Sequence, residues 1–251
     1  MGRRLLSATS CLALATLFIS VQAASAADLP AAPAFKAAPA SPPLSWTGFY
    51  LGAGIGAGSF VLNNGNFDDR VTPTLPSQDT GGKGVLGTAI VGYDYQVHPL
   101  FVTGIFADGD WMDVRGEWRD RSGGLNVSGT VTQDWAWSVG GRFGYLATPG
   151  TLLFVSGGFT QTHLGQVDFT PFGGAAPTRF IPARTLDGWF IGAGAEAKMT
   201  QSVSLKLEYR YADFGNASVD RLVTGNGAFS TQVNEHLATQ SVRFGINYRF
   251  N

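Results

Sequence analysis

The feature that most limits how this chain can fold is an alternation of apolar and polar side chains, which recurs in eight segments. In the last segment, Val242, Phe244 and Ile246 alternate with Arg243 and Gly245. A period of two over about ten residues predicts a β-strand. The eight segments cover residues 46–58, 85–96, 101–112, 134–145, 152–163, 189–198, 203–211 and 241–250.

The connections between these segments alternate in length. Short connections lie at 97–100, 147–150 and 199–202, and long ones at 59–84, 113–131, 165–184 and 216–238. Short turns at one end and long loops at the other are typical of bacterial outer-membrane barrels, whose short turns face the periplasm. We therefore predict an all-β fold over residues 46–251, an eight-stranded antiparallel transmembrane up-and-down β-barrel.

Alternation alone does not decide which face points outward, because a soluble barrel has its apolar face inside. Charged residues make up only 14% of the chain, against roughly 25% in soluble domains. Glycines also crowd the polar face, as a narrow lumen requires. Both observations favour the inverted arrangement of a membrane barrel. Aromatic residues near the segment ends are expected to form the two interfacial girdles; they are Trp46, Tyr93, Tyr95, Trp111, Trp135, Tyr145, Trp189, Tyr211, Tyr248 and Phe250.

The amino-terminal residues predict secretion beyond the inner membrane. Arg3 and Arg4 precede a mostly apolar stretch, and Ala24-Ser25-Ala26 fits a small-x-small cleavage site, so residues 1–26 are predicted to be a signal peptide. Residues 27–45 are rich in Ala and Pro. Such a segment buries too little apolar surface to offset its ordering entropy, so we expect a flexible periplasmic tether.

Five stretches of sequence point to a known family. They are Trp46-Thr47-Gly48-Phe49-Tyr50, Val91-Gly92-Tyr93, Gly141-Arg142-Phe143-Gly144-Tyr145, Leu207-Glu208-Tyr209 and Gly245-Ile246-Asn247-Tyr248-Arg249-Phe250. In these stretches, which span nearly all of the expected mature chain, the sequence resembles the small OmpA-like barrel proteins of alphaproteobacterial outer membranes, often called porin-family or immunogenic outer-membrane proteins. The resemblance implies an eight-stranded barrel with a structural or surface role, without a catalytic constellation or a cofactor.

The resemblance also implies partners. Outer-membrane lipid and lipopolysaccharide would surround the barrel, and the barrel-assembly machinery would read the aromatic residue that ends the last strand. Such proteins usually terminate on that aromatic residue, whereas Asn251 follows Phe250 here. We therefore expect this recognition to be slightly altered. The oligomeric state is left open.

Little in the sequence predicts catalysis, metal binding or nucleic-acid binding. The single cysteine, Cys11, lies in the predicted signal peptide, so thiolate chemistry is excluded from the mature chain. His98, His163 and His236 are not spaced as metal ligands, and Ser156 lies an odd number of residues from His163, on the opposite face of its strand. The formal net charge of −1 comes without a basic patch.

The charged side chains of the polar faces are predicted to lie in the lumen. Five are acidic and five basic: Asp94, Asp108, Asp110, Glu196, Glu208, Arg142, Lys206, Arg210, Arg243 and Arg249. An eight-stranded interior is just wide enough to be filled by side chains, so we favour a structural network of paired charges over an ion pathway. Within it we predict that Glu196 faces Lys206 and that Asp108 lies near Arg142.

Three functions remain open from the sequence. The favoured one is a structural outer-membrane barrel that presents four extracellular loops. The second is a narrow, porin-like diffusion channel through the same lumen. The third is a surface barrel that binds a ligand, for which the connection at 165–184 is the candidate position.

Overall fold

The computed structural model describes residues 44–65, 79–120, 127–171, 176, 179–223 and 229–250. The predicted signal peptide, and the predicted tether as far as residue 43, lie outside these residues. No helix in the described part of the chain is long and apolar enough to cross a membrane.

Ten strands are described, and eight of them close into a ring. In chain order they are β1 (Gly48–Gly65), β2 (Asp79–His98), β3 (Phe101–Asp120), β4 (Val127–Thr148), β5 (Thr151–Leu164), β6 (Val167–Pro171), β7 (Arg179–Ile181), β8 (Arg184–Lys198), β9 (Val203–Val223) and β10 (Phe229–Arg249). The ring runs β1-β2-β3-β4-β5-β8-β9-β10 and returns to β1, with every pair antiparallel. The predicted fold is confirmed.

The short strands β6 and β7 continue the hairpin of β5 and β8. Leu164 pairs with Arg184, and Val167, three residues further, pairs with Ile181, three residues earlier, so the register is unbroken. Between these pairs the ladder is interrupted, and Pro182 has no N–H to donate there. The predicted count of eight wall strands is therefore correct, and one hairpin carries an interruption.

The short connections lie where the sequence predicts them, at residues 99–100, 149–150 and 199–202. We call this end of the barrel the turn end and the opposite end the loop end. Towards the loop end the strands run further than predicted: β3 continues to Asp120 instead of residue 112, and β9 to Val223 instead of residue 211. Strands of about 20 residues exceed the 9–11 that cross a bilayer, so the barrel extends beyond the membrane band.

The two faces of the wall are assigned as predicted. Outward side chains are apolar and exposed, such as Ile55 at 71% and Ile105 at 70%. Ile90 and Phe106 interrupt the polar face in sequence, and both point inward and are buried. The Phe106 ring lies 6.0 Å from that of Phe190, so these two breaks in the pattern mark apolar packing inside the lumen.

One polar residue lies on the other face from the one its sequence position predicts. The alternation of its segment places Asp134 on the lumen face, but Asp134 and Trp135 both lie on the outside, with Gln133 buried before them and Ala136 buried after. The pairing of β4 with β5 shifts by one residue at this point. A bulge of this kind inserts one residue and reverses the faces beyond it.

Candidate functional site

The lumen near the turn end is built around Arg142 of β4. Its Nε donates to Asp94 Oδ1 at 2.8 Å and its Nη1 to Glu196 Oε2 at 2.8 Å. Arg249 of β10 also binds Asp94, and its Nη2 lies 2.6 Å from Asp94 Oδ2. Ser204 donates to Glu196 Oε1 at 2.6 Å. All five side chains are buried, so ion pairs join β4 to three other strands across the lumen, and the hydroxyl of Ser204 adds β9 through a hydrogen bond.

Trp46 closes this end of the lumen and does not belong to the interfacial girdle that the sequence predicted for it. The side chain is fully buried, and its Nε1 donates to the backbone carbonyl of Pro149 at 3.0 Å. The Arg249 guanidinium lies 5.5 Å and the Lys198 ammonium 5.2 Å from its rings. Trp46 precedes β1, and its indole is held by cations and by a turn carbonyl at the barrel mouth.

A second cluster lies further from the turn end, around Arg210 of β9. Its two terminal nitrogens donate to the two oxygens of Asp108 at 3.0 and 2.7 Å, a bidentate pair. Arg243 donates to Asp110 at 2.8 Å. Glu208 lies 3.0 Å from Lys206 Nζ. All ten residues predicted for the lumen therefore lie in it, in two clusters, and all are 7% exposed or less.

The two specific pairings predicted from the sequence have different outcomes. Glu196 and Lys206 are register partners on β8 and β9, as predicted, but their charges are paired elsewhere, with Arg142 and Glu208. The expected proximity of Asp108 to Arg142 is wrong. Asp108 lies opposite Ser138 on β4, four residues from Arg142. The position of Asp108 depends on the stagger between β3 and β4, which residue counts do not determine.

Towards the loop end the lumen is filled by apolar side chains, most of which lie in segments that the sequence predicted to be loops. We call this group the apolar plug; it comprises Phe60, Leu62, Val114, Trp118, Val131, Leu164, Val167, Phe169, Ile181, Phe214, Val219 and Leu237, and each member is 8% exposed or less. The Trp118 and Phe169 rings meet edge to face at 5.3 Å. A cavity of about 20 Å³ lies between the plug and the Arg210 cluster, bordered by Arg210 and Arg243. This volume has room for about one water molecule.

Glycines on the inner face of β1 allow this strand to lie close to β10. A Cβ added to Gly54 would lie 2.5 Å from the carbonyl oxygen of Phe244, and one added to Gly56 would lie 2.5 Å from that of Val242. β1 therefore approaches β10 too closely for any side chain at these positions. This close packing agrees with the narrow lumen that the glycines of the polar face predict.

The histidines paired with carboxylates lie on the outside of the wall, away from both clusters. His163 Nδ1 is 3.1 Å from Asp134 Oδ2, and its ring stacks on Trp135 at 5.4 Å. His236 Nε2 is 3.3 Å from Asp213 Oδ1. Among the described residues, no three His, Cys, Asp or Glu side chains are grouped as metal ligands would be.

A ring of strands with an apolar outer band and a charged interior is the arrangement of a transmembrane β-barrel, since closure leaves no unpaired strand edge inside the membrane. Exposed aromatic residues near both ends, such as Trp111, Trp189, Tyr95 and Tyr248, complete the two girdles. Residues 10–250 match the family model described as outer membrane protein beta-barrel domain. The chain belongs to this family of outer-membrane proteins.

Curated relatives agree with this assignment. The 31 kDa outer-membrane immunogenic protein of Brucella melitensis is 30% identical over 82% of this chain and 84% of its own length. The 22 kDa outer membrane protein of Rhizobium leguminosarum is 33% identical over 85% and 82%. Among solved structures, the outer membrane protein OprG of Pseudomonas aeruginosa matches with a TM-score of 0.45 at 12% identity, over 82% of this chain and 97% of that one.

Proposed function

We propose that this protein is a structural, non-enzymatic barrel of the outer membrane that presents four loops on the cell surface and has a filled, non-conducting lumen. The observation that carries this proposal is the sequence of layers along the barrel axis. Trp46 lies at the turn end, followed by the Arg142 cluster, the Arg210 cluster and the apolar plug, and the side chains of all four are buried.

The pairing of the charges argues against a diffusion channel. Ions passing through a lumen need side chains that exchange partners with water, whereas Arg142 contacts two carboxylates and Arg210 holds Asp108 with both terminal nitrogens. Buried charges persist where they are paired and hydrogen-bonded. Beyond them, the side chains of the apolar plug provide no oxygen atoms that could replace the hydration shell of a cation, and the buried charges beside the plug, Arg184 and Glu235, are paired with each other.

The surface role rests on the connections at the loop end. Short turns of such barrels lie in the periplasm and long loops outside the cell, so the loop end would be extracellular. The word immunogenic in the name of the Brucella relative agrees with exposed loops. We further propose that lipopolysaccharide surrounds the loop end and that the assembly machinery recognises the end of β10, where Tyr248 and the following Phe250 are exposed.

Single-channel recording tests the proposal directly. The full chain, refolded and inserted into planar lipid bilayers, should give no regular conductance steps, while a general porin added to the same bilayer should. Insertion is verified by protease protection in vesicles made from the same lipid. Reproducible steps with ion selectivity would contradict the filled lumen, and the narrow diffusion channel would then be the function.

A further inference from the structure

The ring of hydrogen-bonded strands is incomplete at one place, between β8 and β9. Ladder pairs run from Lys198–Ser204 to Trp189–Asp213, stop, and resume at Phe180–Leu222. Residues 181–188 and 214–221, all within the described chain, form no ladder pairs with each other. The neighbouring ladders remain paired along the same stretch, His163 with Thr185 on one side and Ala217 with Glu235 on the other.

The reason for the interruption is a difference in phase. On β9 the inward face changes between Phe214 and Ala217, around Gly215, whose φ is +65°. On β8 the inward residues remain even-numbered as far as Arg184. If the register of Trp189–Asp213 continued, Leu186 would lie opposite Asn216, but Leu186 packs inward on the core and Asn216 is exposed. A strand pair whose faces differ by one residue cannot form its ladder.

A side-chain ion pair crosses the unpaired stretch on the inner side of the wall. Arg184 of β8 donates through Nη2 to Glu235 of β10, and the Cα partner of Glu235 on the intervening β9 is the small residue Ala217. The Arg184 side chain is 12% exposed and that of Glu235 is 1% exposed. Arg184 Nε and Nη1 are buried and have no hydrogen-bond partner. Two donors therefore remain unsatisfied beside the apolar plug, which is costly unless an acceptor reaches them.

The unpaired stretch begins next to the membrane interface. Trp189, which forms the last ladder pair below it, is a 53% exposed member of the aromatic girdle on the same strand. Amphiphiles whose polar heads lie at this interface are therefore adjacent to the unpaired wall. Behind the wall are apolar side chains, among them Phe214, Val219 and Leu186.

We propose that this stretch is a lateral binding site for a single-chain neutral amphiphile. The acyl chain of the amphiphile inserts between β8 and β9, and an ester or amide carbonyl of its head group accepts hydrogen bonds from Arg184. The head group is neutral because Glu235 already balances the Arg184 charge, and a carboxylate would bury a second negative charge beside it. The assignment of the amphiphile to the outer leaflet rests on the proposed orientation of the barrel.

Photocrosslinking tests the site. The full chain in lipid nanodiscs is exposed to a monoacylglycerol that carries a diazirine in its chain, and adducts are mapped by mass spectrometry. Adducts are expected on the inward residues Phe214, Leu186 and Val219. The corresponding fatty-acid anion should give at least about tenfold less adduct at these residues, a ratio that one charge-dependent hydrogen bond can produce. Adducts confined to outward residues such as Trp189, or equal labelling by both probes, would overturn the proposal.

Two variants sharpen the test. A disulfide between Leu186→Cys and Ala217→Cys should abolish inward adducts when oxidised and restore them on reduction. The matched control is Ala195→Cys with Leu207→Cys, a register pair in the complete ladder, whose oxidation should change nothing. The second variant, Arg184→Met with Glu235→Gln, removes the Arg184 donors and both charges of the pair, and it should eliminate the preference for the neutral probe.

Hydrogen exchange on the parent protein gives an independent readout that needs no substitution. Those amides at 185–188 and 215–219 that face the unpaired stretch should exchange faster than the amides at 191–197, and the monoacylglycerol should slow them. Uniform protection across these segments, unchanged by the probe, would contradict lateral access. Conductance recorded on the same preparation bears only on the filled lumen, so failure of the proposed function and failure of this site are distinguishable.

Discussion

Arg249, at the end of the last strand, donates a hydrogen bond of 2.6 Å to the backbone carbonyl of Trp46, which precedes the first strand. The same guanidinium contacts Asp94 of β2. These bonds join the two ends of the barrel domain at the point where β10 pairs with β1. Closure of the ring and closure of its mouth are therefore coupled through one side chain.

Substitution of Trp46 tests this coupling. Trp46→Ala removes a fully buried indole and should lower the free energy of unfolding by about 3–5 kcal/mol, as for other buried large aromatic side chains. Trp46→Phe keeps most of the packing and should cost much less. Reversible urea unfolding from lipid vesicles measures both variants. Equal stability of Trp46→Ala and the parent would mean that Trp46 does not pack in the mouth.

The lumen charges provide a double-mutant cycle. Asp108→Ala or Arg210→Ala breaks a buried bidentate pair and leaves one unbalanced charge in its cluster, where Glu208 still pairs with Arg210 and Arg243 with Asp108. Breaking a buried pair on one side typically costs about 3–5 kcal/mol, and we expect the lower end of that range here. The double variant should cost less than the sum of the two, because the charges of the cluster are balanced again. The control cycle combines Asp108→Ala with Arg142→Ala, which belong to different clusters, and should show weaker coupling. Stronger coupling in the control would contradict the arrangement of the two clusters.

Two glycines on opposite faces of the wall give a matched pair of substitutions. Gly54→Ala places a Cβ 2.5 Å from the Phe244 carbonyl oxygen and should destabilise the barrel by about 1–3 kcal/mol through overpacking. A Cβ at Gly87 would meet no atom within 4 Å, so Gly87→Ala should be close to neutral. Thermal unfolding monitored by the gel mobility of the folded form compares them. A larger loss for Gly87→Ala would reverse the assignment of faces.

The sequence predicts the barrel best where the strands cross the membrane. There the outside is apolar and the inside polar, so each strand has a clear period of two. Beyond the membrane the strands continue into water and the pattern inverts. On β3, the outward residues change from Ile105 and Trp111 to Arg115, while the inward residues change from Asp108 to Val114. If the outer face is assumed to be apolar along the whole strand, the residues beyond the membrane do not fit a strand pattern and resemble a loop. The apolar plug is not predicted from the sequence for that reason.

Other features depend on contacts that no local pattern contains. The ten lumen charges are recognisable from their faces, but their partners depend on the stagger between strands, which residue counts did not supply for Asp108. Asp134 lies outside because of a bulge whose only local sign is a polar residue beside Trp135. The interrupted ladder between β8 and β9 results from two irregularities, near Gly215 and Pro182, whose combined effect appears only when both strands are aligned.

The proposed orientation can be examined on whole cells. An epitope inserted between Asn226 and Gly227, in the connection between β9 and β10, should be labelled by antibody on intact bacteria. The same epitope between Thr148 and Pro149, at the turn end, should be labelled only after permeabilisation. The opposite pattern would place the loop end in the periplasm and remove the basis for a surface role.

The inversion of polarity along the wall makes a final prediction about depth. Phe244 points outward within the membrane band, and Phe244→Arg should cost about 2–4 kcal/mol if its position is near the bilayer midplane. Asn63 also points outward but lies near the loop-end terminus of β1, eight residues beyond Ile55, the register partner of Phe244. Asn63→Arg should therefore cost close to nothing, because its side chain is already in water. Unfolding from vesicles of the same lipid compares the two variants. If Asn63→Arg were as costly as Phe244→Arg, the membrane would cover the loop end, and the apolar plug would lie within the bilayer instead of beyond it.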